Sequence, residues 1–321
     1  MDMFDHILSS RNKMKHIFKV SLYFLIVLVL SIVGPMFVTP VLYKIGLVPP
    51  LVLMVIHIIF FIVPAIIYII VTKSNYKKVF SFKKPKGKDV FFSILIAALA
   101  LPIMTFFSYT SSFFYTNDVA LVLDQMRAYP LWLMILVVGV TPAITEEITI
   151  RGIALSGFEF KSKNVAAIMT GIMFGILHLN AHQFLYATAM GIILAYVVRA
   201  TGSIFLSMLI HFLINSWNLI QQRIVSQGIT TEDLVHSMDS IKNIPMELKI
   251  GVFFYYLIFA IVAAFLISYL IRKMEKRNFD ITLDELDVAT RVSYKEERVI
   301  NAPFIISVIV FIVYTFFIMK G

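Results

Sequence analysis

The stretch TPAITEEITIRG, residues 141–152, closes an apolar run that begins near residue 131 and carries Glu146, Glu147 and Arg151 inside it. A run of about 26 residues is long enough to cross a bilayer as a helix. At a helix centre an exposed ionisable side chain costs about 2.5–3.5 kcal/mol on insertion scales, so three of them facing lipid would cost roughly 8–10 kcal/mol. They must face protein or water instead. A helix built this way needs neighbours, and the rest of the chain supplies them.

Of the 321 residues, 60% are apolar, and apolar runs recur from end to end. This composition identifies an integral membrane protein. The runs lie at about 17–39, 50–72, 89–114, 131–156, 164–180, 184–199, 203–222, 250–271 and 301–319. The chain reads as an all-α, polytopic transmembrane helical bundle of eight or nine spans. The fifth and sixth runs are the short ones, separated only by LNAHQ, and they could form a shallow hairpin. In outline, residues 1–130 supply N-terminal helices, 131–222 a core with the chemistry, and 223–321 C-terminal helices with a charged loop.

A net charge of +9 could signal nucleic-acid binding, but the basic residues cluster between apolar runs, where they act as topology determinants and lipid contacts. Under the nine-helix reading, 21 Lys and Arg fall on the side of the N-terminus and six on the other, with Arg151 set aside. The N-terminus is therefore expected in the cytoplasm. The basic stretch SSRNKMKHIFK, residues 9–19, leads into the first run, which is too long for a signal-peptide core and is expected to remain as an uncleaved anchor. There is no cysteine, which excludes disulfides and thiolate metal sites. The mixed-charge segment 272–300 reads as an amphipathic helix or docking arm.

Spacing separates the roles of the two glutamates. Glu147 and Arg151 are four residues apart with the acid first, the arrangement in which a helix brings both groups onto one face. Glu146 is turned about 100° away, with no basic residue one turn on. Burial without a counter-charge suits a carboxylate to general acid–base work. Taken alone, the doublet could equally be a helix–helix ion-pair network. Pro142, four residues before Glu146, removes an amide from the helix; it frees a carbonyl, whether as an ordinary kink or as a bend that turns Glu146 towards a cavity.

Two further polar insertions favour chemistry. FGILHL places Phe174 and His178 one turn apart, and HFLIN does the same for His211 and Asn215. Convergence of a carboxylate, two imidazoles and an amide from three helices is the economical explanation. Peptide hydrolysis in a membrane needs a base to activate water and donors to hold the oxyanion. Glu146 can be the base, His178 or His211 can orient the water or pass its proton to the leaving amine, and Asn215 with a histidine N–H can hold the oxyanion. A zinc version with His178, His211 and a glutamate as ligands is conceivable but weaker, because Asn215 is a poor zinc ligand and no H-E-x-x-H is present.

The ordered set E-E-x-x-x-R, F-x-x-x-H and H-x-x-x-N, carried by Glu146, Glu147, Arg151, Phe174, His178, His211 and Asn215, resembles the CPBP intramembrane proteases, named for CAAX proteases and bacteriocin processing and also called the Abi family. The resemblance covers about residues 131–222. It implies a glutamate-dependent endopeptidase with Glu146 as the water-activating base, His178, His211 and Asn215 completing the site, and Glu147 and Arg151 supporting it. No cofactor is assigned beyond the zinc alternative. The expected partners are a membrane-associated peptide or protein substrate and the lipid bilayer, with no nucleic acid. The Lys-, Ile- and Asn-rich composition is similar to that of low-GC bacteria, which points to a bacterial plasma membrane and away from a prenylated substrate. Two other classes fit parts of the pattern. A non-catalytic scaffold or immunity protein could bind a peptide or partner through the same pocket, and a proton-coupled transporter could use the Glu and His residues as a relay, although no inverted repeat is visible.

Smaller expectations attach to nearby residues. Asn180 and His182 either line the pocket mouth or close the turn, Asn218 could face the site, and Trp217 belongs to an interfacial belt. Helical depth places His178 deeper than Glu146 and His211, so the fifth helix is predicted to be short.

Overall fold

A computed structural model describes residues 16–228, 230, 233, 244–278 and 297–318. The described residues are almost entirely helical, and their one extended pairing is an isolated bridge between Phe82 and Ser203. Seven helices are long and apolar enough to cross a membrane: α1 (His16–Lys44), α2 (Pro49–Thr72), α3 (Gly87–Ser112), α5 (Leu131–Ala154), α7 (Ala181–Thr201), α8 (Ile204–Val225) and α9 (Met246–Asn278). Two shorter apolar helices, α6 (Lys163–Leu177) and α10 (Ala302–Phe317), complete nine. A further short helix, α4 (Asp118–Gln125), lies in the connection between α3 and α5, where no helix was expected.

The lengths differ from the sequence reading in an informative way. Helix α6 is short, with 15 residues, a reach of about 22 Å. Helix α7, read as equally short, has 21 residues. The apolar pattern missed its first turn because Ala181, His182 and Gln183 are polar or small, yet Asn180 caps that turn by accepting from the Gln183 amide at 3.0 Å. Gly202, with φ of +69°, ends α7 in the left-handed conformation that a glycine tolerates without strain. The basic residues 9–15 and most of segment 272–300 lie outside the described residues, although α9 runs through Asn278.

Packing centres on α3, which holds α7, α8 and α9, while α1, α2, α6 and α8 surround α5. Helices α6 and α7 form the tightest pair. A Cβ on Gly191 would come within 2.8 Å of the Gly171 Cα, and one on Gly175 within 2.8 Å of the Phe184 carbonyl. Small residues let the two backbones approach, as is usual where lipid provides no hydrophobic drive between helices. Outward faces carry Ile66, Ile70, Val71, Ile261 and Phe265, all exposed. An apolar surface of that kind belongs against acyl chains.

The loops that the charge count assigned to one side lie at one end of the bundle. Lys86 donates to the Arg277 carbonyl, Lys163 pairs with Glu275, Lys78 pairs with Glu159, and Asp89 receives both Arg277 and Asn278. The opposite end is tied by Arg223 donating to the carbonyls of Arg127 and Tyr129, and by Gln222 donating to Ala120.

Candidate active site

Helix α5 is α-helical at Leu131–Met134 and Thr141–Glu147, with π-helical turns on either side of the second stretch at Ile135–Val140 and Ile148–Ala154. Such turns widen a helix locally and are frequent where a helix carries function. Pro142 has no amide to offer the carbonyl of Val138, one turn back. Asn215 of α8 takes that carbonyl, donating from Nδ2 at 3.1 Å. Thr141 donates its hydroxyl to the Leu136 carbonyl at 2.9 Å. The proline frees a backbone acceptor, and a motif residue on a neighbouring helix occupies it.

Arg151 lies in the second π-helical turn, and its Nη1 donates to Glu147 Oε1 at 2.8 Å, both side chains being fully buried. Its Nη2 reaches the Gly191 carbonyl at 3.3 Å, and its guanidinium lies over the Phe174 ring at 4.2 Å. His211 Nδ1 meets the same Glu147 oxygen at 2.9 Å. A carboxylate can only accept, so Nδ1 carries the hydrogen and Nε2 is directed elsewhere. Glu147 thus meets an arginine and an imidazole through one oxygen. Phe174 packs edge-on against both His178 and His211, at ring separations of 4.8 and 5.6 Å. His178 Nδ1 lies 2.7 Å from the Phe174 carbonyl, which fixes its hydrogen on Nδ1 by the same reasoning.

Glu146 is different. Its side chain is 12% exposed against 0% for Glu147; like Glu147 Oε2, its own Oε2 makes no hydrogen bond among the described residues. Two imidazoles flank it. His211 Nε2 stands 3.9 Å from Oε2, and His57 Nδ1 of α2 stands 4.0 Å from Oε1. Both gaps exceed a direct hydrogen bond and suit a bridging water. His57 was missed in the sequence reading. It is the one histidine in the 24-residue apolar helix α2, and that isolation was the available signal.

A cavity of about 790 Å³ opens beside the site, bounded mainly by α3, α4, α7, α8 and α9. His178 and Asn215 line it, as do Phe174, His182, Trp217 and Asn218. Glu146, His211 and His57 are not part of its wall. Of the smaller expectations, Asn180 closes the turn rather than lining the cavity, while His182 and Asn218 do line it; Trp217 is half exposed and also contributes to the wall. None of the residues that form the wall is an Asp, Glu, Lys or Arg. Among the described residues no three His, Asp or Glu side chains converge in a metal-holding arrangement. The Nδ1 atoms of His178 and His211 are already committed as donors.

Residues 128–217 match the family model described as Type II CAAX prenyl endopeptidase Rce1-like. Over 102 residues the chain is 31% identical to a protein of Bacillus subtilis (strain 168) named "Putative membrane peptidase YdiL"; the match takes in 32% of this chain and 41% of that protein. The chain thus spans less than half the length of this curated relative. No solved structure matches the chain.

Proposed function

The chain belongs to the CPBP and CAAX protease family through its core at residues 128–217, and from that premise we propose that it is an intramembrane endopeptidase in which Glu146 activates the hydrolytic water. The observation that carries this reading is the contrast between adjacent glutamates. Glu147 Oε1 is held directly by Arg151 and His211 at 2.8 and 2.9 Å, whereas Glu146 is partly exposed and its nearest imidazole nitrogens stand 3.9 and 4.0 Å away.

In this mechanism a water held between Glu146 Oε2 and His211 Nε2 loses a proton to Glu146 as its oxygen bonds to the scissile carbonyl carbon. The developing oxyanion is received by the Asn215 Nδ2 hydrogen not used by Val138. The C–N bond then breaks, and the proton held by Glu146 passes to the leaving amine, directly or through His211. His178, on the cavity wall, positions the substrate backbone through Nε2. Glu147 keeps the His211 hydrogen on Nδ1, and Arg151 keeps Glu147 in place.

The substrate on this reading is a membrane-associated peptide or protein. The lysine-rich end lies in the cytoplasm by the positive-inside rule, so the cavity, whose wall includes α4 and the far ends of α3 and α8, opens on the outer side of a bacterial plasma membrane. The absence of Glu146 from the cavity wall is what a purely binding role would lead one to expect, and the same experiment separates the two. Wild type, Glu146→Gln and His211→Ala are compared in cells of the source organism by mass spectrometry of secreted and membrane-derived peptides, at equal protein levels. Loss of the same peptides in both variants supports the protease and identifies its cleavage site. An unchanged profile, with deletion of the whole gene still having an effect, replaces it with the binding role.

A further inference from the structure

We propose that His57 on α2 is a positioning residue for Glu146, completing a two-imidazole bracket around that carboxylate. The inference rests on Glu146 being the base. His57 lies on a helix outside the segment that matches the family model, so the family resemblance assigns it no role.

The ring is held from three directions. Thr145 donates its only hydroxyl hydrogen to the Thr141 carbonyl at 2.9 Å, so towards His57 it can only accept. The 3.2 Å contact between Thr145 Oγ1 and His57 Nδ1 therefore places the ring hydrogen on Nδ1, facing Glu146 Oε1 at 4.0 Å. Phe61, one turn on, stacks parallel to the imidazole with centroids 5.1 Å apart and planes 9° apart. A π-helical turn begins directly after His57, at Ile58–Ile62. That local widening sets the registry between His57 and Phe61 and directs the ring at α5. A polar side chain on a lipid-spanning helix needs such a partner, and Thr145 with Glu146 is the partner α5 presents.

Each oxygen of Glu146 thus faces one imidazole, at 4.0 and 3.9 Å. The His57 ring, fixed by its N–H to Thr145, stands beside Oε1 and limits its swing, leaving Oε2 on the side of the water shared with His211. The other charged or titratable groups near the carboxylate are Glu147 and Arg151 on its own helix, with His178 behind Phe174.

The test uses the full chain in proteoliposomes and has two arms. In the first, dicyclohexylcarbodiimide, an apolar reagent for protonated carboxyl groups, is applied across a pH series, and mass spectrometry follows labelling of Glu146. His57→Leu should displace the labelling profile along the pH axis by about one unit, a tenfold change in proton affinity. His57→Asn, whose amide N–H occupies the place of Nδ1, should bring it back, and Ile66→Ala on the lipid face of the same helix should leave it in place. Coincident profiles in wild type and His57→Leu, at equal folded yield by size exclusion, overturn the proposal. In the second arm, cleavage of the peptide identified through Glu146→Gln should lose about 10- to 100-fold in kcat with little change in KM in His57→Leu, with recovery in His57→Asn. An equal loss in both variants, or a loss confined to KM, also overturns it. If no peptide depends on Glu146, the protease reading falls, while the labelling arm still decides whether His57 positions the carboxylate.

Discussion

Asn215 donates to the carbonyl of Val138, the acceptor that Pro142 leaves without an amide one turn further on. Proline, asparagine and carbonyl form one unit across two helices. The kink and the site residue therefore depend on each other. The arrangement also accounts for an amide in the middle of α8, where an unsatisfied polar group in hydrocarbon would be costly.

Asn215→Leu should destabilise the bundle by about 1–3 kcal/mol, because it orphans a buried carbonyl. Pro142→Ala restores an amide that can bond Val138, so the double variant Pro142→Ala/Asn215→Leu should be more stable than Asn215→Leu alone. Thermal unfolding in detergent reads the coupling, and additive effects would count against the unit.

Arg151→Ala should lose folded protein as well as activity, since it leaves Glu147 buried without its arginine, at a cost of about 3–5 kcal/mol. Glu146→Gln should fold normally and lose turnover by at least about 100-fold. Equal loss of folded yield in the two variants would refute this division of labour between neighbouring glutamates.

Gly191→Val should separate α6 from α7. A Cβ there meets Gly171 Cα at 2.8 Å, a backbone atom that cannot rotate away, so destabilisation of about 1–3 kcal/mol is expected. The same change displaces the carbonyl that receives Arg151 Nη2. Loss of folded yield, with activity lost from the folded remainder, is the outcome to measure.

Because the chain has no cysteine, single cysteines report orientation cleanly. In intact cells Lys84→Cys should be protected from a membrane-impermeant maleimide and Ala128→Cys labelled, as both positions are exposed and lie at opposite ends of the bundle. The reverse pattern would place the cavity on the cytoplasmic side and invert the expected source of substrate.

Sequence by itself determined the class of this protein. Recurrent apolar runs specify membrane helices because no other local structure satisfies the backbone in lipid, and the cost of Glu146, Glu147 and Arg151 in such a run requires a bundle interior. Helical spacing was also enough to pair Glu147 with Arg151, since both lie on one rigid element. Only tertiary structure decided what lies across from them. Nothing local connects His57 with Glu146, or Asn215 with Val138, because those distances are set by how α2 and α8 dock on α5. Nor could spacing show that the cavity wall takes in His178 and Asn215 but leaves Glu146 behind it. Helix periodicity defines which face a residue occupies, and packing defines what that face meets.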